Sequence, residues 1–173
     1  PVAIATNAIG VTITGGGNGD GRLTNDPGGA AYDEQNAAWE HLSKSGFIQG
    51  SYAGTSATTP NFSNNLSPVN AFNNPMVLGL TPDYFDTQTT PPARLHLIIG
   101  RGIPVGILRE LDVKVDDGNP ISGVLRATLA TSTIFAGGTP QLGGSAATCV
   151  TAAAPFIYNV AGDSPDCNGV FLF

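Results

Sequence analysis

Charge is scarce in this chain of 173 residues: Asp, Glu, Lys and Arg together make up 12%, about half the usual share. The seven cations (Arg22, Lys44, Arg94, Arg101, Arg109, Lys114 and Arg126) are scattered along the sequence. With no basic stripe to neutralise a phosphate backbone, nucleic acid is excluded as a partner, and anionic membrane surfaces are disfavoured. No apolar run approaches the roughly 20 residues that span a bilayer. The opening PVAIATNAIG lacks the positive flank and apolar centre of a signal peptide, so a processed form or a trimmed piece is expected.

Cysteine is limited to Cys149 and Cys167. Two reduced, buried thiols are one reading of this pair; a disulfide closing the last loop is the other. The composition resembles that of secreted proteins and favours the bridge. By the chain-entropy model such a bridge stabilises by roughly 3 kcal/mol.

Small residues fill the space that charge leaves, with 23 Gly and 13 Pro, while 41% of the chain is hydrophobic. This describes a loop-rich secreted chain with enough mass to bury a core, and residues 1–173 are expected to form one domain. Residues 9–14, IGVTIT, alternate and are β-branched, so a strand or extended run is expected there. The following GGGNGDG, residues 15–21, can only be a loop.

A helix is predicted over 34–45. Asp33 is its expected N-cap, and Glu34 places negative charge in the first turn. Ala38, Trp39 and Leu42 make one narrow apolar face. His41 and Lys44 fall in the last turn, and Gly46 takes the C′ position, where φ is positive. A Schellman ending would fold Phe47 back on Leu42. So short a helix is marginal alone, so Trp39 must clamp it to something larger.

Residues 53–92 read as long decorated loops with brief strands, of the kind found at surfaces and interfaces. Asn61 and Asn65 sit in N-glycosylation patterns. LHLII, 95–99, is a buried strand candidate. In 103–115 the four-residue recurrence of Ile107, Leu111 and Val115 competes with the alternation of Leu111, Val113 and Val115. Pro104 tips the choice to a helix. DDGNP is then a turn. GVLRATLATSTIF carries one or two strands, Phe156 to Val160 another, and GVFLF a closing one. The expected fold is α+β, with a mainly antiparallel sheet, short helices and a C-terminal disulfide region over 149–167.

Candidate chemistry is thin. Against a calcium-loop template, Asn18, Asp20 and Gly21 fill the third, fifth and sixth positions, but Gly16 and Pro27 occupy the first and twelfth. Asp116, Asp117 and Asn119 form a second oxygen cluster of the kind calcium uses. In the competing reading, these are turn residues bonding their own backbone. No cofactor is expected beyond calcium at one of these two loops. His41 and His96 lie far from any nucleophile-elbow signature. GGGNGDG lacks the lysine of a phosphate loop, and two cysteines and two histidines far apart do not make a zinc site. The expectation is a protein that is not an enzyme and has no small-molecule substrate.

Three stretches and the cysteine pair resemble the globular domains of bacterial type IV pilins and pilin-like proteins. AAWEHLSKSGFIQGSYAG is similar to a pilin stretch in which "E…AW-x-HL" precedes "AG-L/F-I-x-G-x-Y". GGGNGDGRL resembles the "GNGDG-x-I/L" that often stands just upstream. LDVKVDDGNPISGVLRA is similar to "ID-x-K-I-DDG-x-P-x-x-G-x-V-R-A". The cysteine pair looks like the pilin disulfide region. These features keep their order over 15–52, 110–127 and 149–173, about half of the chain. Pilins begin with a long apolar helix, which this sequence lacks.

The resemblance implies a filament subunit on the bacterial surface, exported through the inner membrane. Its partners would be copies of itself and a hydrophobic stem helix, either its own removed segment or a separate short chain. It implies structural roles for Trp39, Leu42, Gly46, Phe47 and Gly118, with Asp116 and Asp117 in the tight turn. Two rivals remain: a pseudopilin of a type II secretion machine, and a secreted carbohydrate- or surface-binding module. The module would need an exposed aromatic platform, for which Tyr52, Tyr84 and Phe85 are the candidates.

Overall fold

The computed structural model describes residues 8–24, 33–55, 65–82, 84–88, 91–128 and 146–173. In chain order these form α1 (Asp33–Lys44), β1 (Val77–Thr81), β2 (Arg94–Ile98), α2 (Val105–Val115), β3 (Leu125–Ala127), a short α3 (Ala146–Cys149), a 3-10 turn (Val160–Gly162) and β4 (Gly169–Leu172). The fold is α+β with one four-stranded antiparallel sheet, in the order β1-β2-β4-β3. Cys149 and Cys167 are joined in a disulfide.

The strands read as apolar runs because both faces of the sheet carry apolar side chains. On one face Val77, Ile98, Val170 and Leu172 close over Tyr84 in a first core cluster. Register places His96 on this face too, opposite Gly79 and Leu172. His96 is fully buried and meets the Tyr84 ring edge-on at 5.8 Å. The other face is covered at the β3 side. There Ala127 joins Ile103, Val105, Leu108, Val150, Tyr158 and both cysteines in a second cluster, with Ile99, Phe85 and Phe156 against it.

The open part of that second face is built by register. Leu78 pairs with Leu97 and Leu97 with Phe171, while Leu80 pairs with Leu95. Leu78, Leu80, Leu97 and Phe171 are half-buried, Leu95 is 38% exposed, and Phe173, just past β4, is 67% exposed. Along β1 burial alternates, with Val77, Gly79 and Thr81 buried and the two leucines between them less so.

Several expectations need correction. Residues 9–14 do not form a strand; polar groups of Thr12 and Thr14 are taken by side chains of α1. Thr14 N donates to Glu40 Oε1 at 2.8 Å, and Lys44 Nζ donates to the Thr12 carbonyl at 2.5 Å. Phe156 to Val160 is not a strand either: it makes a single bridge, Val150 to Tyr158, and then turns into the 3-10 segment. The first helix begins at Asp33 itself. The second begins at Val105, with Pro104 as its N-cap residue at φ −57° and ψ 138°. Its buried side is Val105, Leu108 and Asp112, whereas Ile107, Leu111 and Val115 stand exposed. Within 53–92, β1 is one of the brief strands expected there; residues 56–64, which include Asn61, and residues 129–145 lie outside the described residues.

Candidate functional site

The most deeply buried part of α1 is polar. Glu34, Gln35, Asn36 and Glu40 are each less than 5% exposed. Buried carboxylates need donors, and the glycine loop supplies them. Glu40 accepts from Thr14 N and, at 2.6 Å, from Gly15 N, and Lys44 Nζ reaches its Oε1 at 2.6 Å. Glu34 accepts from Asn18 N at 2.9 Å and from Thr24 N at 2.8 Å. His41 Nε2 lies 3.0 Å from the Gly15 carbonyl. Residues 12–24 are thus laid along the helix by carboxylates.

Glycine is required here for close approach: a Cβ at Gly15 would overlap the Gly54 backbone, and one at Gly17 would overlap the Glu34 carboxylate. Burial tends to raise the Glu40 pKa, but the Lys44 ammonium and the Gly15 and Thr14 amides outweigh it. The carboxyl is held below its ordinary value.

Trp39 is buried, while Ala38 and Leu42 are only half-buried. The helix ends with Gly46 at φ +80°, Gly46 N donating to Ser43 O and Phe47 N donating to Leu42 O, each at 3.0 Å. That is the Schellman hydrogen-bond pattern. The Phe47 side chain does not follow its backbone inward and is 80% exposed.

A second polar centre follows α2. Asp112, Asp116 and Asp117 each bring a carboxylate oxygen within 4.8 Å of the others. Asp112 is fully buried, accepting from Tyr158 OH at 2.8 Å and Gly118 N at 3.2 Å. Burial pushes its carboxyl up against the lowering effect of those two donors, and it pushes the Tyr158 phenol up as well. Asp116 accepts from Val124 N and Leu125 N. Asp117 accepts from Asn119 N at 2.8 Å and Ser122 Oγ at 2.6 Å. Gly118 turns the chain at φ +74°.

These hard oxygen donors suit calcium in type, but three residues supply fewer than its usual six to eight ligands. The structure does not bring Asn18 and Asp20 into this cluster. Asn18 Oδ1 accepts from Asp20 N at 2.9 Å and Asp20 Oδ1 from Arg22 N at 2.8 Å, each a turn bonding its own backbone.

The disulfide lies inside the second core, with Cys167 fully buried and Cys149 4% exposed. Beside it, Asp166 takes Arg101 in a two-pronged pair, Nε to Oδ1 at 2.9 Å and Nη2 to Oδ2, and also accepts from Gly102 N at 2.9 Å. The Arg101 guanidinium holds the Asp166 carboxyl below its ordinary range.

The aromatic platform is not assembled. Tyr84 is 1% exposed and donates to the Pro92 carbonyl at 2.8 Å, and Phe85 packs against Phe156 beside the disulfide cluster. Tyr52 OH reaches the Gln49 carbonyl at 3.3 Å.

Reading the sequence missed Glu40, Asp112, Asp166 and Asn70, whose amide donates to the carbonyls of Ile99 and Arg101. Asp112 had a signal, since it lies one helical turn before Asp116. No helix among the described residues is long and apolar enough to cross a membrane. No family model, curated protein or solved structure matches the chain.

Proposed function

We propose that this chain is the folded head of a structural subunit of an extracellular type IV pilus-like filament, working as a building block without catalysis. The observation that carries the reading is the open sheet face. Leu78, Leu80, Leu95, Leu97, Phe171 and Phe173 form one apolar surface that the core leaves unfinished. An apolar stem helix of the pilin type would lie across it and supply the missing burial. The head then needs stable joints more than a reactive site. The carboxylate-bound glycine loop, the Asp112–Tyr158 contact and the buried bridge serve as such joints.

The test is electron microscopy of filaments sheared from the native cells, with gold-labelled antibody to this head. Labelled filaments are expected, and Leu97→Asp should abolish incorporation while leaving the soluble head folded. Filaments without label, or an unaffected Leu97→Asp variant, would end the reading.

The carboxylates of Asp112, Asp116 and Asp117 favour a second reading, a pseudopilin of a type II secretion machine whose loop is held by calcium. A calcium-dependent rise in melting temperature, with secretion failing in its absence, would select it.

A further inference from the structure

Helix α2 carries an apolar stripe that its own core does not use. Ile107 is 53% exposed, Leu111 38% and Val115 47%. Steps of four residues rotate by only about 40°, so the three side chains form one line along the helix. Leu108 and Asp112, both fully buried, root the helix from a different flank. Glu110 and Lys114 stand on the opposite flank of the stripe. Glu110 is engaged by Arg109 at 3.1 Å in an exposed pair, and Lys114 has no ion-pair partner among the described residues.

We infer that this stripe pairs with the same stripe of a second copy of the chain, the two α2 helices running antiparallel about a two-fold axis at Leu111. The charge pattern selects this arrangement. With Leu111 at the crossing point, Ile107 meets the partner's Val115. Lys114 lies about 4.5 Å beyond the crossing and the partner's Glu110 about 1.5 Å beyond it, along the same flank. Opposite charges therefore stand side by side twice, once on each half of the axis, and outnumber the single approach of like charge, the two Glu110 side chains about 3 Å apart along the seam. A parallel pairing puts the two charge rows on opposite sides of the seam, where neither meets a partner.

Three side chains per copy cover well under the roughly 1,200 Å² of a stable interface. The pairing is consequently weak and transient in solution. It gains strength only where copies are held close together. It does not rest on the filament reading, because the soluble chain alone displays the stripe.

The experiment is oxidative cross-linking of the full chain carrying Leu111→Cys, compared with Gln49→Cys at an exposed position outside the stripe. Mass spectrometry verifies the native Cys149–Cys167 bridge in each variant. Cross-linked dimer at position 111 is expected several-fold above position 49. In the Leu111→Cys background, Glu110→Lys and Lys114→Glu should each lower the yield several-fold, and the double exchange should restore it. Equal yields at the two cysteine positions would overturn the inference, as would a double exchange that fails to recover. In the unmodified protein, amide resonances of 107–115 should shift with concentration. Their invariance up to millimolar protein would overturn it independently.

Discussion

Tyr158 donates its phenolic proton to Asp112 across 2.8 Å of buried space, linking the disulfide-closed segment to the last turn of α2. Both groups belong to the stretch where helix, DDG turn and terminal bridge meet. Tyr158→Phe should therefore destabilise by about 1–3 kcal/mol, the cost of leaving a buried acceptor short of a donor. The effect carries a pH signature. Because burial raises the folded pKa of Asp112 above the ordinary carboxyl range, its contribution is most favourable below the unfolded pKa and is lost as pH rises through the folded one. Removing the phenol raises the folded value further. Urea unfolding should show a larger loss for Tyr158→Phe at neutral than at mildly acid pH.

Glu40 behaves in the opposite sense. Its pKa is held below the ordinary carboxyl range, so the stability it contributes is present above the unfolded pKa and is lost as pH falls through the folded one. Hydrogen exchange at Thr14 and Gly15, its two amide donors, should accelerate on acidification through that window while the sheet stays protected. Glu40→Gln should remove the acid step and cost about 1–3 kcal/mol at neutral pH, as a charge-assisted contact becomes a neutral one.

Breaking the bridge should cost more than closing a loop alone would suggest. Cys149→Ser with Cys167→Ser loses about 3 kcal/mol of loop constraint. It also places two hydroxyls among Val105, Leu108 and Val150. The double variant is expected to unfold at a markedly lower temperature, by calorimetry, than the oxidised parent. Reduction of the parent should reproduce the constraint part only.

Arg101 and Asp166 give a test of geometry over charge. Arg101→Lys keeps the charge but loses the two-pronged contact. About 1 kcal/mol should be lost at this partly exposed site, read as a fall in the urea midpoint. A loss no larger than that of an isolated surface charge would show that the pair does not hold the segment.

Calcium offers a separate measurement. If Asp112, Asp116 and Asp117 hold the ion, millimolar calcium should raise the melting temperature of the parent and leave Asp117→Asn unmoved, with magnesium much less effective. An equal response in both proteins would place the ion elsewhere.

Much of the local structure was legible in the sequence, because short-range rules govern it. The end of α1 follows from a glycine at C′, since a left-handed residue there completes the Schellman bonds whatever lies around it. β2 and β4 follow from short, largely apolar runs, and the turn at Gly118 from the Asp-Asp-Gly composition. IGVTIT misled because strand propensity states only that a segment suits a ladder. Here Glu40 and Lys44 satisfied its backbone first.

Long-range choices were decided by the tertiary structure. That β4, the last strand, inserts between β2 and β3 cannot be read from periodicity, which has no term for strand order. Nor can the pattern say which apolar side chains of α2 go inside: Leu108 and Leu111 are the same residue, separated by less than one turn, and only the position of the sheet buries the first and leaves the second exposed. Composition and turn chemistry alone determined an antiparallel, loop-rich α+β chain with a terminal cysteine pair. Packing determined where two buried carboxylates would find their donors, because a charge inside a protein is tolerable only where the whole fold brings amides to it.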